Sequence, residues 1–369
     1  MDDTAAKRAF GWETALLLLG LAAGLGWLAW YGGQLPSGWD ADATGRVEAA
    51  IRWARGDGQP PFTQGPVHFL LLRLALTAGV PGPQLRIVDL GCAALFLWLF
   101  FAVNRALFGP AIAGGATIAL PLHPFFAKLA AATTGFMPFF ALLWLGFWLL
   151  IPYWRNDGDD RKIGRAFAAG VALGAATLTR FEGLFVVACL GAAFLGSRRW
   201  KPALSVFAGF AALAGAVFAS TYFSLADFLR GGFYYTVHPE PVPPPHWAVF
   251  PAYLAGALGI VPLLGGLAGT WSAVKEKSRR ALAGLLWLYL AMVYGYYLAG
   301  RLDCHWSRYY SLLLPLLLPF FGAAVARALP AEKPLRRGAV IVAAFLICAG
   351  FYFVAAGQEL YVLQTIGGK

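Results

Sequence analysis

Long apolar runs alternate with short polar stretches along the whole of this chain. The runs fall at 14–31, 66–80, 85–104, 110–126, 133–153, 164–179, 183–196, 202–222, 249–271, 280–300, 308–328 and 338–357. A helix needs roughly 20 apolar residues to cross the hydrocarbon of a bilayer, whereas strands run to about ten at most. The pattern predicts helices that span a membrane, and the fold class is an all-α polytopic membrane protein.

The loops set the number of crossings. Four of them are basic: RNDGDDRKIGR, SRRWK, KEKSRR and EKPLRR. Cytoplasmic loops carry an excess of Lys and Arg. With Lys7, Arg8 and the N-terminus inside, all four also lie inside only if the run at 66–80 does not cross. That run is about 15 residues long, short of a full span. It is expected to lie in the outer interface. About eleven spans then remain. The reading is one transmembrane domain over 1–369, with a first outer loop at 32–84 and no C-terminal soluble domain.

Composition agrees with this picture. The chain is 59% hydrophobic and 13% charged, against about 25% charged in a soluble domain. Its net charge of +11 resides in short loops, as orientation signals do, and not in a basic stripe interleaved with aromatics. Nucleic acid is excluded as a partner on that ground. Cys92, Cys189 and Cys348 sit in apolar runs and Cys304 in a polar loop, with no disulfide framework or zinc spacing.

The same topology sorts the titratable groups. All five histidines, His68, His123, His238, His246 and His305, fall on the outer side with Asp40, Asp42, Glu48 and Asp57. One-sided placement points to a site at the outer face. The stretch GWDADATGRVEAAIRWARGDGQPPF is the most telling. Val47, Ala50, Ile51 and Ala54 share one helical face, and Glu48, Arg52 and Arg55 another. Gly56-Asp57-Gly58 and then Pro60-Pro61 stop the helix. A helix start has one N-cap position, so capping accounts for one of Asp40 and Asp42. The other either sits in the first turn, where the helix dipole favours a carboxylate modestly, or is free to act as a base or to hold a divalent cation.

This loop resembles the first outer loop of the GT-C glycosyltransferases, polytopic enzymes that use polyprenyl-phosphate sugars. They include protein O-mannosyltransferases and the aminoarabinose and mannose transferases of bacterial envelopes. Asp42 takes the position of the family's catalytic aspartate, and Asp40 that of the first Asp in its D-x-D variant. LTRFEGLF (178–185) resembles the family's LTRPEG turn, with Phe181 in place of Pro. SRYYSLLLPLLLP (307–319) resembles its RYLLPLLP late helix. The family's second acidic residue is replaced by Met137 in TTGFMPF, which weakens a two-carboxylate metal site.

The resemblance implies transfer of a sugar from a polyprenyl-phosphate donor to an envelope lipid, glycan or protein, with inversion. Asp42 would be the general base, assisted by Asp40. Arg180, Arg301 and Arg308 would bind the donor phosphate, and Glu182, His68, His305, Lys128 and Tyr309 are candidate substrate contacts. Family members often need Mg²⁺ or Mn²⁺, for which Asp40 and Asp42 are the candidate ligands. The enzyme would lie in the cytoplasmic membrane among its lipids, its site facing the periplasmic side. Two readings stand beside this one. Arg180 and Glu182 read equally as a mutually compensating pair. A flippase or transporter of lipid-linked sugars would place ionisable groups near span midpoints or break helices in matched halves; the spans look nearly free of charge. A non-catalytic scaffold of an envelope-assembly complex is the third reading, prompted by Met137.

Overall fold

A computed structural model describes residues 3–35, 41–58, 65–155, 163–196, 199–219, 224–226, 228–229, 247–300, 311–330 and 334–367. Within them the protein is helical: α1 (Asp3–Gln34), α2 (Ala41–Arg55), α3 (Pro66–Thr77), α4 (Arg86–Phe108), α5 (Pro110–Leu122), α6 (Pro124–Ala131), α7 (Phe136–Trp154), α8 (Ile163–Thr179), α9 (Glu182–Gly196), α10 (Trp200–Ala219), α11 (Val249–Leu258), α12 (Ile260–Ala273), α13 (Lys277–Leu298), α14 (Leu313–Arg327) and α15 (Pro334–Gly367). It is an integral membrane protein of the class the apolar pattern predicts.

Helix length does not confirm the expected count of about eleven spans. Among the described residues six helices are long and apolar enough to cross a bilayer, or up to eight if each of two bent pairs is one span. The runs at 110–126 and 249–271 do not form straight rods. The first breaks into α5 and α6 with a bend of 69°, because Pro124 holds His123 in extended backbone. The second breaks into α11 and α12 with a bend of 102° at Gly259, whose φ of +82° suits glycine. The apolar helices α8, α9 and α14 have 17, 15 and 15 residues. They are short of the roughly 20 that a lipid-facing span requires. α14 meets this by burial: every residue from Leu313 to Ala323 is enclosed.

Packing follows the apolar faces. α8 lies along α10 and α7, α4 along α7, α12 along α14, and α5 against α1 and α15. Aromatic rings fill the centre, with Phe96 against Phe100, Phe126, Phe140 and Trp144 at centroid separations of 5.1–5.7 Å. At such distances offset and edge-to-face contacts add to burial.

The two ends of the bundle are built from different segments. At one end Arg199 donates to the Tyr153 carbonyl, Arg279 Nε to the Leu107 carbonyl at 2.7 Å, and Arg337 Nε to the Ala326 carbonyl at 2.8 Å. The residues flanking all four basic loops thus meet at one end, as the loop reading expects. At the other end lie the C-termini of α1 and α15, the α5–α6 break, the start of α7, the α8–α9 turn, and α2 with α3. Arg86 donates to Gly32 O there.

Candidate functional site

The second end is assembled from three distant segments. The first is Gly65 with the start of α3. Gly65 packs so closely on the end of α8 that a Cβ on it would stand 2.2 Å from Leu178 O and 2.3 Å from Thr179 O. The second is Thr133 to Phe136. Thr133 and Thr134 are buried, and Gly135, at φ +79°, opens α7 beside the His68 ring. The third is the α8–α9 turn. Arg180 N donates to Ala176 O at 2.9 Å and Gly183 N to Arg180 O at 3.0 Å. Gly183 lets the turn close, since a Cβ there would lie 2.7 Å from Thr177 main-chain atoms.

Arg180 sits where these segments converge. Its Nε and Nη2 both donate to one carboxylate oxygen of Glu182, at 3.2 and 2.5 Å. The guanidinium carbon lies 3.6 Å from the centre of the Phe136 ring. The two side chains are only 13% and 10% exposed, so water screens the pair little. Glu182 stands in the first turn of α9, where the helix dipole favours a carboxylate. Phe181 is buried against Phe185 and Phe228 at centroid distances of 5.7 and 5.9 Å. It anchors the turn by packing.

α2 and α3 cover this end together. α2 buries Arg46, Ala49, Ala50 and Trp53, a face rotated from the expected Val47, Ala50, Ile51 and Ala54. Trp53 is the largest apolar side chain available; it packs with Phe69, Leu72 and Leu85, and Arg73 stacks over its ring at 4.5 Å. Glu48, Arg52 and Arg55 are exposed, as expected. Asp42 is the second residue of α2 as described, within its first turn. Asp40, Arg301, His305, Arg308 and Tyr309 lie outside the described residues, as do His238 and His246.

Other candidates prove to be engaged within the fold. His68 Nε2 lies 3.4 Å from Asp89 Oδ2, with both side chains fully buried. Its ring faces Asp89 and Gly135, not an open cleft. Asp89 was missed, although an acid four residues into the run RIVDLGCAAL signals an ionisable group within a span. Lys128 pairs with Glu359, which lies on the part of α15 beyond the expected end of its span at 357. His123 Nδ1 accepts from Phe125 N at 3.2 Å, capping α6. Met137 is wholly buried in the apolar core. Among the described residues no three His, Cys, Asp or Glu side chains converge as metal ligands would. Asp40 and the side chain of Asp42, the candidate ligands for Mg²⁺ or Mn²⁺, lie outside the described residues, and Met137 carries no carboxylate to join them.

Comparison with known proteins bears on the fold. Residues 61–223 match the family model described as dolichyl-phosphate-mannose-protein mannosyltransferase. The crystal structure of ArnT from Cupriavidus metallidurans bound to undecaprenyl phosphate is similar over 97% of this chain and 72% of that one, with a TM-score of 0.63 at 16% identity. The archaeal oligosaccharyltransferase AglB from Archaeoglobus fulgidus, in complex with an inhibitory peptide and a dolichol-phosphate, is similar over 95% of this chain, with a TM-score of 0.61 at 12% identity. This chain spans 56% of that protein's length. A further oligosaccharyltransferase structure from Archaeoglobus fulgidus, in complex with Zn and sulfate, has a TM-score of 0.61 at 14% identity, over 94% of this chain and 53% of that one. No curated protein matches the sequence.

Proposed function

We propose that this chain, which has the GT-C fold of membrane glycosyltransferases, moves a sugar from a polyprenyl-phosphate donor to a lipid, glycan or protein of the cell envelope. One observation carries the reading. A sheltered guanidinium, Arg180, is held in place by Glu182 and Phe136 at the end of the bundle away from the basic loops. It sits in a fold shared with a protein crystallised with undecaprenyl phosphate. Among the described residues only Nε and Nη2 of Arg180 are engaged, which leaves Nη1 for a phosphate oxygen. A planar guanidinium suits that partner.

The donor enters from the bilayer at the outer face of the cytoplasmic membrane. Its phosphate is held by Arg180 with Arg301 and Arg308. Asp42 takes the proton from an acceptor hydroxyl as general base. The acceptor oxygen attacks the anomeric carbon opposite its bond to the phosphate oxygen. That bond breaks, its electron pair leaves with the polyprenyl phosphate, and the sugar inverts. Phosphate is a fair leaving group, so positioning and charge stabilisation supply most of the remaining work. Asp40 assists this step, as the cap of the interfacial helix or by holding a cation. The whole chain forms one transmembrane domain around this site.

The test is mass spectrometry of envelope glycans and lipid-linked sugars from cells lacking the gene, complemented with wild type or with Asp42→Asn at matched expression. We expect the deletion to lose one sugar residue and accumulate its lipid-linked donor, and wild type to restore both. Asn can still accept a hydrogen bond at a helix start but cannot act as a base. Asp42→Asn should therefore stay folded in the membrane and lose at least about a hundredfold in transfer rate. Asp40→Asn should be milder as a cap; equal severity with chelator-sensitive activity would assign both to a cation. An unchanged envelope in the deletion would sink the transfer reading, and restoration by Asp42→Asn would remove the general base alone.

A further inference from the structure

The basic end of the bundle carries a cavity of about 1350 Å³ that the transfer reaction does not use. Its walls come from α1, the α4–α5 turn, the α12–α13 turn, the end of α14 and the start of α15. Most of the lining is apolar, including Leu16, Ile112, Ile341 and Leu346. Among the described residues that line it, four basic side chains, Lys275, Arg279, Arg327 and Arg337, accompany one carboxylate, Glu276. That carboxylate is taken by Arg279 Nη1 at 2.8 Å.

Orientation signals alone do not require this arrangement. The positive-inside bias needs cations in loops, with no cavity beside them. Here two guanidinium groups are fixed by main-chain oxygens on neighbouring elements. Arg279 Nε donates to Leu107 O and Arg337 Nε to Ala326 O, so each head is held in one orientation. Among the described residues Lys275 and Arg327 meet no carboxylate. Arg327 occupies the last turn of α14, where the helix dipole welcomes a cation, and that accounts for one of the four.

We propose that this groove binds an anionic phospholipid of the same leaflet, its phosphate among the four basic groups and its acyl chains along the apolar walls. Both halves of the ligand are matched. A phosphate diester supplies acceptor oxygens to oriented guanidinium groups. Acyl chains gain from each methylene moved onto apolar wall. Basic pockets between spans on the cytoplasmic side bind such headgroups generally. The proposal does not rest on the transfer reaction and stands at the opposite end of the molecule from it.

The experiment is native mass spectrometry of the detergent-solubilised full chain titrated with dioleoyl phosphatidylglycerol, and separately with dioleoyl phosphatidylcholine. Wild type should retain phosphatidylglycerol at least about tenfold more tightly. Lys275→Ala with Arg327→Ala removes two exposed, carboxylate-free cations and should erase that preference while the protein stays monodisperse. Lys201→Ala with Arg165→Ala removes the same charge at the same end but outside the groove, and should leave the preference intact. Equal loss in both double variants would reduce the effect to diffuse charge and overturn the proposal. So would displacement of the lipid by inorganic phosphate at millimolar concentration, because the apolar walls would then contribute nothing. A stronger, variant-sensitive preference for undecaprenyl phosphate would also overturn it, by assigning the groove to the donor carrier.

Discussion

Arg180 is both half of a salt bridge and the proposed contact of a phosphate, and one substitution separates the two roles. A largely enclosed pair loses about 3–5 kcal/mol when one partner is removed and the other charge is stranded. Arg180→Ala should therefore lower the thermal stability of the protein as well as its activity. Arg180→Lys keeps a cation beside Glu182 and should nearly preserve the melting temperature. It loses the planar fork, and its affinity for a polyprenyl phosphate should fall about tenfold or more. Wild-type affinity in the Lys variant would confine Arg180 to its structural bond. At this scale the sequence is legible where residue type and local position suffice. LTRFEG identifies a turn carrying Arg180 and Glu182, and the structure joins them directly. It is not legible where a partner lies far along the chain. His68 and Asp89 are 21 positions apart, and Lys128 and Glu359 are 231 apart. No local pattern couples such residues. Asp89 differs, because an acid inside an apolar run marks itself.

Among the elements, α3 packs on α8 and α4, and Gly65 before it lies close against the end of α8. A Cβ there would overlap two carbonyl oxygens of α8, which are main-chain atoms and cannot swing aside. Gly65→Ala should destabilise the protein by roughly 1–3 kcal/mol, the usual range for overpacking. It should also lower transfer in the fraction that folds, because α3 and the Arg180 turn must part. Gly91→Ala on α4, where a Cβ meets nothing within 4 Å, is the matched control and should be neutral or slightly stabilising. Parallel thermal denaturation and activity assays of the two variants decide it; equal behaviour would mean that the Gly65 contact does not position the loop. The amphipathic character of α2 was readable from Glu48, Arg52 and Arg55. Its rotation was not, because the burial of Trp53 is decided by Phe69, Leu72 and Arg73 on another helix. Helix breaks were partly legible: Pro124 and Gly259 carry the signals, yet an apolar run reads the same through them.

For the whole molecule the informative property is the separation of its ends. The side chains flanking the basic loops cluster at one end, and the Arg180 turn, α2 and α3 stand at the other. The count of crossings was less legible than this polarity. A hydropathy window weighs composition, but a helix enclosed by its neighbours, like α14, need not be as long as one that faces lipid. Polarity does not depend on that count as long as the loops alternate correctly, and this gives a test. A cysteine at Gly58 follows α2 at the site end, and one at Gly158 lies in the basic loop RNDGDDRKIGR. Cys304 lies in a polar loop, so the background variant is Cys304→Ser. In intact cells a membrane-impermeant maleimide should label Gly58→Cys, and should label Gly158→Cys only after permeabilisation. Such a result places the Arg180 turn on the side away from the cytoplasm, where the acceptor must be an envelope molecule. It also places the basic groove against the cytoplasmic leaflet, whose anionic lipids attract cations. Labelling of Gly158→Cys in intact cells would invert both assignments at once, since the fold ties the two ends together.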